Sequence, residues 1–557
     1  MKRFFVSFAI IMVLVFVVSC GSSKKTGDET DSGENMTDED SVDTDSSDTE
    51  PMDENDTSDT TYSNCGNKVT DAGEICDGGT QECSAIDANY TDGYATCKAD
   101  CSGWDTKGCT KDSTDSADAD TDHTDTNPDT DTGDTAPAPV NISFERIIAD
   151  DDPYGPAFVT VDDLDNDGNK DMIVSQDVPF MTNSPEMKGR IDIYWGTGKL
   201  DKDSWNRVEV NIGSDIYFPH QVKVADLNND GKKDLIIPAG GSKGLLGSQG
   251  VLFWLENKDG GKSNTWERHD ITEFDDGHFF FDVTLADLDR DGITDIVTNA
   301  SKNDGEQDEI LMWFKGTDSP ERFDTTPRII GDRVGGPFPR VMDLNNDGKL
   351  DIVVAQLYND DTATNGSFLW FEQPSSIEHE WPRHIIDRES GPGFMLEIID
   401  DLYGDGVTRA VGVNHVNSSD DPNGPQEGVF IFDIPEDPTL LWPKKNIAAG
   451  IKSRKSSIIA PLAAPGLLGY GDITGNGLLD FVVSGDGDSR VFWFEQKTAG
   501  NFVQHKLDGD AGASINDKNS FGQAGGMKIV DLDGDGSSEI IVTLLESNKI
   551  YIYQVKK

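Results

Sequence analysis

The architecture of this chain follows from a nine-residue pattern whose first copy is Asp163-Leu-Asp-Asn-Asp-Gly-Asn-Lys-Asp171. Acidic side chains occupy its first, third, fifth and ninth positions, and Gly168 occupies the sixth. Glycine tolerates the positive φ that a sharp turn needs, so the pattern is typical of a tight loop. Apolar, β-branched runs lie on both sides of it, which indicates that the loop connects two β-strands.

Six more copies of this pattern follow along the chain. Four of them keep Asp, Asn or Glu at the acidic positions, and two are degraded. The copies are Asp226–Asp234, Asp287–Asp295, Asp343–Asp351, Asp401–Arg409, Asp472–Asp480 and Asp531–Glu539. The first positions of successive copies are 56 to 71 residues apart. A pattern that returns at such a period indicates a repeat architecture in which each copy belongs to one structural unit.

Each unit contains four short runs that are rich in β-branched and aromatic residues. In the second unit these runs are Val222–Ala225, Leu235–Ile237, Val251–Leu255 and Trp266–Ile271. Short runs of this composition, bounded by Gly, Asn and Asp, predict β-strands. Four strands in each of seven units predict an all-β fold, a seven-bladed β-propeller of four-stranded blades, over residues 140–557.

The two ends of this region complement each other. Residues 142–150 have the composition of a fourth strand but follow no blade. The last unit ends in the run Ile550-Tyr-Ile-Tyr553 and lacks a fourth strand. We expect the first strand to complete the last blade, because this arrangement closes the ring and leaves no unpaired strand across the join.

The acidic loops are predicted Ca²⁺ sites. Calcium binds six to eight hard oxygen ligands, and side chains at alternate loop positions supply them. Asx turns without a metal would leave the carboxylates of each loop packed together and repelling one another. An EF-hand needs a Glu at position 12 and flanking helices, and neither is present. The predicted ligands are Asp163, Asp165, Asp167, Asp171, Asp226, Asn228, Asp230, Asp234, Asp287, Asp289, Asp291, Asp295, Asp343, Asn345, Asp347, Asp351, Asp531, Asp533, Asp535 and Glu539.

The fifth and sixth copies depart from the pattern. Arg409 replaces the last carboxylate of the fifth copy, and we expect its guanidinium to replace the metal by bridging Asp401 and Asp405. In the sixth copy Thr474 and Asn476 offer neutral oxygens, which predicts a weak site.

These units resemble the FG-GAP or VCBS repeats, the family that includes the propeller of the integrin α subunit. The resemblance covers about residues 142–557 and lies in the acidic loop, in the apolar run after it and in the period. It is weak at the Phe-Gly signature, for which Phe521-Gly522 is among the nearest matches. The resemblance implies a propeller that serves in adhesion or recognition.

The first 20 residues predict an export signal. A basic head, Lys2-Arg3, precedes an apolar run from Phe4 to Val18, which is short for a membrane span and right for a secretory segment. The run ends in Val17-Val-Ser-Cys20, which resembles a bacterial lipobox with Cys20 as the lipidated residue. An ordinary signal peptide is the alternative. We therefore expect a lipid-anchored protein at the outer membrane or cell surface.

Two acidic segments, residues 21–62 and 111–139, flank a cysteine-rich segment at 63–110. Both acidic segments have little to bury and much like charge, which predicts disordered linkers. The cysteines are Cys65, Cys76, Cys83, Cys97, Cys101 and Cys109. An even count in an exported chain predicts a small disulfide-rich module, and a zinc site is the alternative. The stretch from Cys65 to Gly79 resembles the cysteine-rich repeat of myxobacterial surface proteins.

The formal net charge of −58 excludes binding to nucleic acid through a basic surface. The loops between the second and third strands, and between blades, are long and polar, and functional residues usually lie on such loops. His220, His278 and Arg340 are the candidate residues of a ligand face there.

Two functions fit this face. The first is a binding or adhesion module for carbohydrate or protein ligands. The second is a polysaccharide lyase or sugar dehydratase, in which His220 or His278 removes a proton beside Arg340. The metalloprotease motif His-Glu-x-x-His does not occur in the sequence, which favours binding.

Overall fold

The structure, a computed structural model, describes residues 142–176, 188–242, 248–260, 265–274, 278–302, 309–357, 366–419, 422–454, 463–510, 524–545 and 547–556, together with four short strands between residues 80 and 111. The chain divides into two compact units, of which one spans Lys25–Ala136 and the other contains Pro137–Lys557. Among the described residues, no helix has the length and apolarity that crossing a membrane requires.

The smaller unit contains one antiparallel sheet. Its strands are β1 (Thr80–Glu82), β2 (Tyr90–Cys97), β3 (Trp104–Asp105) and β4 (Cys109–Lys111), and β2 pairs with each of the other three. Cys97 and Cys109 lie in these strands, whereas the other four cysteines of the segment lie outside the described residues. The disulfides stay a prediction. The same holds for the signal segment, Cys20 and both linkers, which also lie outside the described residues except for Lys111 at the end of β4.

The larger unit consists of seven four-stranded antiparallel blades, as the repeat pattern predicts. The first blade contains β6 (Pro156–Asp162), β7 (Asp171–Gln176), β8 (Arg190–Trp195) and β9 (Asn206–Val210). The second contains β10 (Lys223–Ala225), β11 (Asp234–Ser242), β12 (Ser248–Asn257) and β13 (Trp266–Phe274). The third contains β14 (His278–Ala286), β15 (Asp295–Lys302), β16 (Ile310–Phe314) and β17 (Arg328–Asp332).

The remaining blades repeat this order. The fourth contains β18 (Arg340–Met342), β19 (Asp351–Ala355), β20 (Phe368–Phe371) and β21 (Arg383–Asp387). The fifth contains β22 (Gly393–Ile399), β23 (Arg409–Asn414), β24 (Val429–Asp433) and β25 (Lys444–Asn446). The sixth contains β26 (Leu468–Gly471), β27 (Asp480–Ser484), β28 (Arg490–Thr498) and β29 (Asn501–Gly509). The seventh contains β30 (Ala524–Val530), β31 (Glu539–Leu544) and β32 (Lys549–Lys556).

The fourth strand of the seventh blade comes from the start of the domain. Strand β5 (Ser143–Asp150) pairs antiparallel with β32, so that Ile147 lies opposite Ile552 and Phe144 lies opposite Val555. This confirms the expected closure of the ring. Hydrogen-bonded pairing between the two ends leaves neither β5 nor β32 without a neighbour at the join.

The hydrophobic core lies between neighbouring blades rather than within one blade. Seven apolar clusters of described residues occupy the seven junctions between blades. At the first junction, Ile173 and Ile193 pack with Leu235 and Phe253 of the second blade. The second strand of each blade is covered on both faces, which explains why β7 and β19 are buried along their whole length and contain the apolar runs Met172–Val174 and Ile352–Ala355.

The antiparallel order also positions the loops. In every blade, the acidic loop joins the first strand to the second, so all seven lie on one face of the ring. We call this the acidic-loop face. At five of the seven junctions, the first strands of neighbouring blades contact one another, which places these strands around the axis of the ring.

Candidate functional site

The acidic loops fold through hydrogen bonds from their own backbone to the first carboxylate. Asp163 accepts bonds from the N–H groups of Asp167 at 2.9 Å and Gly168 at 3.0 Å. Asp226 and Asp343 accept the equivalent pairs at 2.9 to 3.1 Å. Gly168 has φ +92°, which side chains rarely adopt. The first Asp and the sixth-position Gly of the pattern therefore shape the turn itself.

The acid at the ninth position ties the loop to the third strand. One oxygen of Asp171 accepts a bond from the N–H of Leu164 at 2.9 Å, and the other accepts one from Gly196, after β8, at 2.8 Å. Asp234, Asp295, Asp351 and Asp480 make the same two bonds in their blades. These carboxylates are buried. A buried acceptor needs such partners, so the ninth position is structural whether or not it also holds a metal.

Burial has a clear electrostatic consequence at this position. It raises the pKa of Asp171 to about 6, although the two backbone N–H bonds oppose the shift, and the carboxylates of Asp165 and Asp167 raise the pKa further. Burial likewise raises the pKa of Asp480 and Glu539 to about 7. The protein thus holds acids close together where the ionised form is unfavourable, and a bound cation would offset this cost.

Three loops bring their acids close enough to share an ion. One ligand oxygen from each of three acids lies within 4.8 Å of the others in the clusters Asp163, Asp165 and Asp171; Asp287, Asp289 and Asp291; and Asp531, Asp533 and Asp535. Within the described residues, two buried oxygens of such loops, Asp287 Oδ1 and Glu539 Oε1, have no hydrogen-bond partner. A buried oxygen without a partner is costly, and a hard cation such as Ca²⁺ would satisfy it. The residues present therefore fit calcium, and its binding stays a prediction.

Sequence reasoning missed one additional acid beside each of the second and fourth loops. These loops carry Asn instead of Asp at the third position, and the amide of Asn228 donates to Glu256 at 3.1 Å. Asn345 donates to Glu372 at 3.3 Å in the same way. Glu256 and Glu372 follow the aromatic run of the third strand. The negative charge absent from the third position is therefore supplied from the neighbouring strand.

At the third loop, the equivalent residue of the third strand is basic rather than acidic. Lys315 occupies the position of Glu256 and Glu372, and its ammonium contacts the carboxylates of Asp289 and Asp291. The charge at this third-strand position is thus negative where the loop has a neutral Asn at its third position and positive where the loop has Asp289 there. A cation bound in this loop would compete with Lys315.

The fifth loop contains a guanidinium as predicted, with different partners. Arg409 donates to both oxygens of Asp405 at 2.9 and 2.8 Å and to Asp433 of β24 at 2.9 Å. The expected bridge to Asp401 is absent from the hydrogen bonds of Arg409 in the described structure, and one oxygen of Asp401 accepts the N–H of Gly406 at 2.5 Å. Arg409 also lies over the ring of Tyr403, 3.9 Å from its centre.

The axis of the ring carries a second set of polar residues. In each blade, one residue of the first strand pairs with a residue of the second strand that lies two places after the ninth position of the acidic loop. We call these seven equivalent positions the axial ring. It consists of Thr160, Lys223, Thr284, Arg340, Glu397, Gly469 and Lys528. Residues that lie some 60 positions apart in sequence are thereby placed at one level of the axis.

A cavity of about 560 Å³ lies at this level, lined by the first strands of the second to seventh blades. Arg340 donates to Glu397 at 2.5 and 2.9 Å and to Asp282 at 2.9 Å. Lys223 lies 2.8 Å from the other oxygen of Asp282. Tyr470 also lines the cavity and is 39% exposed, so the cavity is open to solvent.

Lys528 differs from the other charged residues that line the cavity, which all form ion pairs. Within the described part of the chain, its ammonium has neither a hydrogen-bond nor an ion-pair partner. Burial, followed by the charge of Lys223, lowers its pKa to about 8, against the opposing effect of Glu397 and Asp282. Arg340 lowers the pKa further.

The structure separates the three residues predicted for a ligand face. Arg340 lines the axial cavity. His220 is buried, with its Nδ1 2.5 Å from the carbonyl oxygen of Phe280 and its ring stacked on Phe281. Burial lowers the pKa of His220 to about 4. His278 is also buried. A ligand-binding role for both histidines stays a prediction, and their burial favours a role in packing.

A comparison with protein families agrees with the repeat. The family model of the FG-GAP-like repeat matches residues 163–237, which contain the first two acidic loops and the start of β11. A search of the curated proteins finds no match.

Solved structures show similar architectures at low identity. The crystal structure of BBS1N in complex with ARL6DN is 11% identical, with 74% of this chain and 97% of that chain covered and a TM-score of 0.43. An alpha-L-arabinanase of Penicillium chrysogenum complexed with arabinobiose is also 11% identical, with 74% and 98% covered and a TM-score of 0.39.

Proposed function

We propose that this protein is an exported binding module whose calcium-stabilised propeller recognises a carbohydrate or protein ligand. The observation that carries the binding role is the solvent-open axial cavity, which combines charged side chains with the partly exposed ring of Tyr470. Ligand sites are typically concave and contain a few convergent polar groups.

The calcium part of the proposal rests on the acidic loops. The 20 ligands predicted above hold the ions in the first, second, third, fourth and seventh loops, with Glu256 and Glu372 adding charge to the second and fourth. Bound calcium would neutralise the packed carboxylates and keep the loops rigid. The unsatisfied oxygens of Asp287 and Glu539 support this role. The expected effect of calcium is on stability, because the ions would offset the repulsion between the carboxylates within each loop.

Binding is favoured over catalysis by the state of the cavity carboxylates. Asp282 and Glu397 are both held by Arg340, so neither is available as a general base. Lys528 supports the second candidate, a polysaccharide lyase or sugar dehydratase, because an amine whose pKa is about 8 can accept a proton near neutral pH.

Export and anchoring complete the proposal. A lipid on Cys20 would hold the chain at a membrane surface, and the acidic segments would separate the propeller from it. Metabolic labelling with a fatty-acid analogue tests this directly. The wild-type chain should take up label, whereas Cys20→Ser should take up none.

A glycan array and a uronate-elimination assay on the purified, calcium-loaded Cys20→Ser chain distinguish the two functions. Saturable binding without turnover is expected. Turnover that Lys528→Met abolishes would replace the binding role with the enzymatic one. A chain that shows neither binding nor turnover, on glycans or on a protein array, would contradict both.

A further inference from the structure

The axial cavity carries a charge opposite to that of the chain as a whole. The chain has a formal net charge of −58, yet the described cavity lining contains three cations, Lys223, Arg340 and Lys528, against two anions, Asp282 and Glu397. Surfaces of strongly acidic proteins repel anions, so a local excess of positive charge is a specific feature of this site.

The excess charge is located at Lys528. Arg340 is paired with Glu397 and Asp282, and Lys223 forms an ion pair with Asp282. Lys528 is half-buried and, within the described residues, unpaired. A desolvated charge without a partner lowers the stability of a protein, and such groups are concentrated at functional sites.

The ring has room for a ligand beside this ammonium. Gly469, in the blade next to that of Lys528, contributes no side chain to the axial ring. A Cβ at Gly469 would lie 3.5 Å from its nearest neighbour, the carbonyl oxygen of Met527, which is an ordinary contact. The cavity volume of about 560 Å³ lies in the range that is usual for small-molecule sites.

We propose that the axial cavity binds a small hydroxylated monocarboxylate, a sugar acid, whose carboxylate pairs with the ammonium of Lys528. A single negative charge neutralises the excess in the cavity. Tyr470 and Gln221 also line it, and the phenol of Tyr470 and the side-chain oxygen of Gln221 offer groups that hydrogen-bond hydroxyls. The amide nitrogen of Gln221 already donates to Thr160 at 2.6 Å. The inference rests on the proposed binding function and specifies its ligand class.

Calorimetric titration of the purified, calcium-loaded chain tests this assignment. The probes are D-galacturonate, D-glucuronate, neutral D-galactose, inorganic phosphate and inorganic sulfate. At least one uronate should bind, and galactose should bind at least about tenfold more weakly, because it lacks the charge that pairs with Lys528. Phosphate or sulfate binding as tightly as both uronates would overturn the sugar-acid assignment.

Three variants locate the site. Lys528→Gln should weaken uronate binding by about tenfold or more, whereas Lys528→Arg should retain much of it. Gly469→Leu should block binding by filling the cavity while the charge stays in place. Lys506→Gln is the matched control, because Lys506 is exposed at the outer strand β29. Circular dichroism melting reports whether each variant folds.

The outcomes separate this inference from the function on which it rests. If Lys528→Gln binds uronate like the wild type, the carboxylate does not pair with Lys528 and the inference is wrong. If no uronate binds but the array finds another ligand, the inference fails and the binding function stands. If no ligand of any class binds, both fail.

Discussion

Arg409 and Asp405 form a bidentate ion pair inside the fifth acidic loop, with guanidinium nitrogens 2.9 and 2.8 Å from the two carboxylate oxygens. This is the one copy of the pattern in which a cation replaces the acid at the ninth position. The pair shows how a loop of this shape persists with an internal cation, and it separates the fifth loop from the loops that are predicted to need a metal.

The first prediction concerns this loop. Arg409→Met should destabilise the protein by about 1–2 kcal/mol, because it removes bonds to Asp405 and Asp433 that are partly exposed. The loss should be equal in calcium and in EDTA, as measured by thermal melting. Asp531→Asn is the comparison, and its effect should be larger in calcium than in EDTA, where only the bond from the Gly536 N–H is lost. A calcium-dependent loss for Arg409→Met would contradict the assignment.

The second prediction concerns removal of calcium. At about 1 mM calcium and a dissociation constant near 10⁻⁴ M, each occupied loop adds roughly 1.4 kcal/mol to the free energy of unfolding. Five such loops add about 7 kcal/mol, so EDTA should lower the melting temperature by many degrees. Equilibrium dialysis should find about five ions per chain. An unchanged melting temperature, or no bound calcium, would refute the role.

The third prediction concerns the acid supplied by the third strand. Glu372→Gln should weaken calcium binding at the fourth loop several-fold, because it removes a charge that contacts Asn345. Dialysis at limiting calcium measures the effect. Glu378→Gln is the control in the same blade, since Glu378 is exposed and lies near Arg328 rather than near the loop. Equal calcium binding by the two variants would show that Glu372 is only a partner of His384.

The fourth prediction concerns closure of the ring. Deleting residues 142–150 removes strand β5 and with it Asp150, which accepts bonds from Tyr194 at 2.8 Å and Arg207 at 3.0 Å in the first blade. We expect the seventh blade to lose its outer strand and the unfolding transition to broaden. Glu145→Ala, an exposed change in the same strand, should melt like the wild type. A deleted chain that melts as cooperatively as the complete one would disprove the closure.

The fifth prediction follows from the pKa of Lys528, which burial lowers from its ordinary value of 10.5 to about 8. The unfolded chain therefore binds this proton more tightly, so the charged form destabilises the fold below about pH 8. Lys528→Met should be more stable than the wild type near pH 7. The difference should shrink between about pH 8 and 10.5 and then level off.

Chemical denaturation at a series of pH values measures this difference. Lys506→Met provides the control, because Lys506 is solvent-exposed. Its stability should follow that of the wild type at every pH. A stability gain for Lys528→Met that does not change with pH would show that the ammonium carries no electrostatic cost.

The sequence alone determined the number of blades, the order of strands within them and the strand that closes the ring. These features follow from local rules, because Asp163 and its equivalents accept hydrogen bonds from backbone groups a few residues away in the same loop. A pattern that shapes its own turn can be recognised wherever it recurs. The apolar runs beside each loop predict strands for the same reason, since both faces of a second strand are covered in every blade.

Tertiary structure alone decided the axial cavity and the neighbours of the loops. Lys223, Arg340 and Lys528 belong to three separate repeats, and no local pattern relates their side chains. They share one cavity only because ring closure brings their strands to the same axis. Glu372 reaches the fourth loop through strand register, and the burial of His220 depends on aromatic residues of the next blade. Which charges are paired is a property of this packing, because it depends on distances between residues far apart in the chain.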